Sequence, residues 1–261
     1  MEPAFIAQHD IVYVPGGKAS QSLDIVLPNK QTEGKRFPVV VWIHGGGWEH
    51  GDKRGGPMFP LIARGIACVS INYRLSDEAT WPAQIHDCKA AIRWLRAHGS
   101  EFNLDTKKIG VWGASAGGHL VALLGTSNGV KALEGNEGNL DQSSDVQAVC
   151  DFFGPSDLPA ILPSKGGAHG PVSKFLGGSD TQVAKEASPV TYVTGKAPPF
   201  LIIHGEKDTL VPVSQSEELA DVLKKAGANV TLKVVPGAGH GMGFGRTEYA
   251  AAADFFKEQL R

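Results

Sequence analysis

Apolar runs alternate with stretches of helical periodicity along most of this chain. Residues 10–14 and 22–27 alternate apolar and polar positions, the pattern of strands with one face in water. From 38 to 43 the sequence reads Pro-Val-Val-Val-Trp-Ile with no polar break, as a central strand buried on both faces does. Residues 66–73, 108–112, 146–153, 200–203 and 230–235 repeat that style. Between the runs, Ile85, Cys88, Ile92 and Leu95 fall at helical spacing, with Pro82 suited to the first helical turn. Leu219, Val222, Leu223 and Ala226 mark a second buried helical face. Ser214 and Glu217 are spaced for a capping box at its start, and Gly227 stands where it should end. Residues 250–260 predict a terminal helix. The alternation predicts an α/β fold, a mostly parallel sheet with helices on both faces. In such sheets function collects at the carboxyl ends of the strands.

One stretch breaks the rhythm. Residues 154–199 are rich in Gly, Pro and Ser and lack clear periodicity. Two readings stand for this insertion: a partial lid beside an active site, or an irregular connector. No internal repeat and no second core is visible, so residues 1–261 read as one domain, a size that supports a single large core.

Composition narrows the function classes. The formal net charge is −2, which gives no basic surface for nucleic acid or membrane. No apolar run reaches transmembrane length. The first six residues have neither a basic start nor a long apolar stretch and do not read as a signal peptide, which leaves a cytoplasmic protein or a mature secreted form. Cys68, Cys88 and Cys150 are odd in number and far apart, and read as reduced, buried thiols. Zinc-ligand spacings are absent, and no cofactor is called for.

The chemistry starts at Gly113-Ala114-Ser115-Ala116-Gly117, between a strand pattern and a helical one. Gly-x-Ser-x-Gly in that setting is the signature of a nucleophile elbow. Glycine is abundant here, 33 of 261 residues, so the pentapeptide needs support from elsewhere in the chain. An elbow serine needs a base. His240, in Gly239-His240-Gly241 after the run 230–235, is the first candidate. His119 should point along the elbow helix, His44 and His204 end strands, and His169 lies in the irregular segment. The base needs a carboxylate to fix its tautomer. Asp208, after the run 200–203, fits best; Asp157 is its rival, and Glu206 is placed to hold the loop. Ser115, Asp208 and His240 occur in the Ser–Asp–His chain order of one large hydrolase class. Oxyanion donors are expected from the backbone of Gly46 and Gly47, in His44-Gly45-Gly46-Gly47-Trp48, and of Ala116. Trp48 reads either as a substrate-binding pocket wall or as core.

These motifs resemble the α/β-hydrolase superfamily over nearly the whole chain, and Asn72-Tyr73-Arg74-Leu75 adds to the likeness. Within it the chain is similar to the hormone-sensitive-lipase-related esterases. It is closer still to the compact carbohydrate esterases of the bifunctional acetylxylan and feruloyl esterase type. It departs from the lipase-related pattern at Ala114, where that group has Asp, and in its strand patterns, which start near residue 10 without a long N-terminal cap. The resemblance implies an α/β-hydrolase fold with a minimal cap. It also implies a serine carboxylesterase acting on short-chain or aromatic acyl esters, among them carbohydrate-linked acetyl or feruloyl esters. The same machinery serves amides, so a formamide hydrolase of the arylformamidase type is the nearest alternative. A non-catalytic binding protein on this fold is the alternative from another class.

Overall fold

The computed structural model describes residues 5–29, 36–162 and 170–261. Its strands are β1 (Phe5–Val12), β2 (Ser22–Pro28), β3 (Phe37–Ile43), β4 (Ala67–Ile71), β5 (Leu104–Ala114), β6 (Ala148–Phe152), β7 (Phe200–Gly205) and β8 (Val230–Val235). They form one sheet in the order β1-β2-β4-β3-β5-β6-β7-β8. β1 and β2 are antiparallel to their neighbours. Every pairing from β4 through β8 is parallel.

β3 explains its own apolar run. Val39, Val41 and Ile43 pack into one core layer, and Val40 and Trp42 into the other. The first layer is covered by α2 (Ala83–His98), α3 (Ala116–Thr126) and α7 (Ser214–Lys225). The second is covered by α1 (Met58–Ile62) and α8 (Arg246–Gln259), where Trp112, Phe152 and Phe256 meet. A strand with no solvent face has no place for polar alternation. This is the α/β-hydrolase fold.

Three local expectations are corrected. β1 starts at Phe5, not near residue 10, because Asp10 sits at φ +59 in a bulge that interrupts the alternation. Ser214 is the first helical residue of α7 rather than its cap; Val213 precedes it, with no side-chain capping bond. The described part of 154–199 is helical in places, with α4 (Leu158–Ile161), α5 (Pro171–Leu176) and α6 (Thr181–Glu186). These helices span at most six residues, too short to carry a readable period. Residues 163–169, and with them His169, lie outside the described residues. The three cysteines are free and buried.

Candidate active site

Four strands deliver the site from the same edge of the sheet. β3 runs into the glycine turn, β5 into Ser115, β7 into the Asp208 loop and β8 into the His240 loop. Parallel neighbours end side by side, so loops distant in sequence meet there.

Ser115 carries φ +57 and ψ −122, a conformation that a residue with a side chain rarely adopts. Its amide donates to the Phe152 carbonyl of β6 at 2.8 Å, which fixes the turn. The flanking glycines are steric requirements. A Cβ at Gly113 would collide with the Gly117 carbonyl, and one at Gly117 with the Ile43 carbonyl. The hydroxyl is thereby held above the sheet at the N-terminus of α3, the positive end of that helix.

Ser115 Oγ lies 2.8 Å from His240 Nε2, and His240 Nδ1 lies 2.7 Å from Asp208 Oδ2. A carboxylate only accepts, so the proton of the neutral ring sits on Nδ1 and Nε2 is left to accept from the serine. The Asp208 side chain is fully buried. Its Oδ1 accepts from the amides of Leu210 and Val211, both at 2.9 Å. Beneath it, His204 bonds to the Val211 carbonyl and to Ser216 Oγ, with Nε2 3.3 Å from Asp208 Oδ2. Burial holds the His204 ring below the ordinary imidazole range, which keeps it neutral. The Asp208 and His240 loops are also joined to each other. The Lys207 amide donates to the Ala238 carbonyl, and the Gly237 amide to Glu206 Oε2. Glu206 therefore holds the loop.

The remaining candidates separate cleanly. His44 bonds to its neighbour's carbonyl and stacks on Tyr73 at 4.4 Å. His119 is fully buried and bonds to the Ala187 carbonyl. Asp157 precedes α4, where its amide donates to Gln215 rather than its carboxylate reaching His240. Among the described residues, no cluster of His, Cys, Asp and Glu is arranged to hold a metal ion.

A cleft of about 750 Å³ opens over Ser115. Gly46, Gly47 and Ala116 line it on one side, with Gly46 at φ +111 and Gly47 at φ +60. Phe153, Pro155, Ile161, Val172 and Leu210 supply apolar walls. Trp48 borders the cleft, but the residue is only 3% exposed and its ring stacks on Phe175 at 4.5 Å. Pro171 and Val172 bring the insertion to the rim, and Lys174 pairs with Glu49 at 2.9 Å.

Two neighbours of the site carry no sequence motif. Phe153, at φ +45, places its ring 4.7 Å from His240. Its position just past the end of β6 is the one signal that the sequence holds for it. Asp151, one residue inside β6, is entirely buried, and burial pushes its carboxyl up to about 7. Its Oδ1 accepts from the Gly154 amide at 2.9 Å, and its Oδ2 has no partner among the described residues.

This architecture has known relatives. The BD-FAE family model matches residues 23–223. The chain belongs to the BD-FAE family. Esterase LipQ of Mycobacterium tuberculosis is 37% identical over 88% of this chain and 56% of its own length. The BD-FAE chain thus spans little more than half of that relative. Among solved structures, a truncated carbohydrate esterase from gut microbiota superposes with a TM-score of 0.91 at 36% identity, covering 100% of this chain and 98% of its own. An acetyl ester-xyloside bifunctional hydrolase from Caldicellulosiruptor lactoaceticus gives 0.75 at 27% identity, over 91% of this chain and 88% of its own.

Proposed function

We propose that this protein hydrolyses carboxylic esters through an acyl-enzyme on Ser115. The observation that carries this reading is the unbroken line from Asp208 through His240 to Ser115 at 2.7 and 2.8 Å, ending in an open cleft. Ser115 Oγ attacks the ester carbonyl while its proton passes to His240 Nε2. Asp208 stabilises the imidazolium and holds its orientation. The amides of Gly46, Gly47 and Ala116 take the tetrahedral oxyanion, a charge that exists only as the bond is made. His240 then protonates the leaving alcohol, and water releases the acid by the same route.

The substrates are short-chain or aromatic acyl esters, with carbohydrate-linked acetyl and feruloyl esters as the preferred class. Support comes from the apolar walls of Phe153, Ile161, Val172 and Leu210 and from a cleft that, among the described residues, the insertion borders with the short helices α4 and α5. The two structural relatives, a carbohydrate esterase and an acetyl ester-xyloside bifunctional hydrolase, point the same way. Initial rates on p-nitrophenyl acetate, a long-chain p-nitrophenyl ester, methyl ferulate, acetylated xylan and N-formylkynurenine test this. Turnover of the short, cinnamic or xylan esters is expected. Turnover confined to the formamide would reassign the protein to amide hydrolysis.

A further inference from the structure

His119 and Trp48 make a contact that the proposed reaction leaves unused. Trp48 directly follows Gly46 and Gly47, and His119 lies one turn beyond Ser115 on α3. Trp48 Nε1 sits 3.3 Å from His119 Nδ1, and His119 Nε2 sits 2.7 Å from the Ala187 carbonyl. A carbonyl only accepts, so the ring proton is on Nε2; Nδ1 is then free to accept the indole N–H, which can only donate. Burial pulls His119 down to about 4, so the ring keeps this neutral form.

Trp48 is also held in an unfavourable conformation. Its φ is +58, costly for a bulky side chain. Such a residue persists only when its surroundings over-determine it. Its carbonyl accepts from the amide and hydroxyl of Ser76, its ring stacks on Phe175, and its indole N–H is taken by His119. The three positive-φ residues 46–48 shape the turn that carries two of the proposed oxyanion amides. The indole bond therefore ties that turn to α3, the helix that begins just after Ser115.

We infer that Trp48 and His119 are positioning residues, a buried brace that sets the oxyanion amides of Gly46 and Gly47 at their working distance from Ser115. Trp48 then acts through the backbone beside it, not by gripping substrate. The inference rests on the ester-hydrolase reading above.

The test compares Trp48→Phe, which removes the indole N–H and keeps an aromatic ring, with Phe175→Leu, which loosens the packing on that ring and keeps the bond. On p-nitrophenyl acetate, Trp48→Phe should lower kcat roughly 10- to 100-fold with KM within about twofold, the signature of misplaced transition-state contacts. Phe175→Leu should lower Tm and leave kcat within about threefold. Full kcat in Trp48→Phe, or equal kcat losses in both that track Tm, would overturn the brace. Should either variant fold poorly, the indole ¹⁵N–¹H resonance of Trp48 decides. It should move in His119→Gln, and an unmoved resonance would overturn the brace as well. Absence of ester turnover by the wild type would sink the parent reading instead, and the indole resonance would still report the bond.

Discussion

Asp208 and His240 are joined by a single contact, Oδ2 to Nδ1 at 2.7 Å, across 32 positions of the chain. The other oxygen of Asp208 is committed to the amides of Leu210 and Val211. The carboxylate is thus used on both sides, and an amide in its place has no good orientation. Asn with its nitrogen toward His240 would present a donor to a donor and select the wrong tautomer. Flipped, it would set its nitrogen against two backbone N–H groups. Asp208→Asn is expected to fold and to lose about 10⁴ in kcat, read by steady-state rates with circular dichroism as the folding check.

The glycine turn makes a second prediction. A Cβ at Gly46 would collide with the His50 carbonyl, and its φ of +111 already disfavours any other residue. Gly46→Ala should displace the turn and cost about 10²–10³ in kcat, the range for losing an oxyanion donor. Gly55→Ala is the control. It also has positive φ, but a Cβ there meets open space, and Gly55 is not part of the cleft. Its kcat should be unchanged.

Much of this candidate site was legible in the sequence because its parts follow strands that the apolar pattern marks, buried runs in β3, β5 and β7 and the half-exposed edge strand β8. The elbow, the glycine turn, Asp208 and His240 each stand at such a strand end, and the parallel sheet brings them together. The limits were physical. The bulge at Asp10 broke the alternation of β1, so its start was placed too late. The helices α4, α5 and α6 are too short for periodicity. The Trp48–His119 bond joins positions 71 apart through their side chains, and nothing in either local pattern announces it. Asp151 is the one charged position in the run 146–153, and only the packing around it shows that its carboxyl is sealed from water.

That sealed carboxyl gives stability a pH dependence. Its value in the fold, about 7, is raised from an ordinary 3.8 by burial. Between these two values the folded chain holds a proton that the unfolded chain has lost. Stability from this group is therefore fully present below about pH 4 and is lost as pH rises to about 7. Asp151→Asn keeps the shape, keeps an acceptor for the Gly154 amide and cannot ionise. Thermal melts should show its Tm gaining on the wild type between pH 5 and pH 8, by several degrees at about 2–4 °C per kcal/mol for a chain of this size. A constant difference across that range would mean that Asp151 does not titrate in the fold.

The proposed ester hydrolysis depends on Ser115 as its nucleophile. The most direct measurement is intact and peptide mass spectrometry of the wild type and Ser115→Ala after exposure to a serine-directed fluorophosphonate, with p-nitrophenyl acetate turnover followed in the same samples. One adduct is expected, on the peptide containing Ser115, with turnover that falls in step with labelling. Ser115→Ala should take no label and show no turnover above background. An unlabelled Ser115, or an alanine variant that hydrolyses the ester at the wild-type rate, would contradict it.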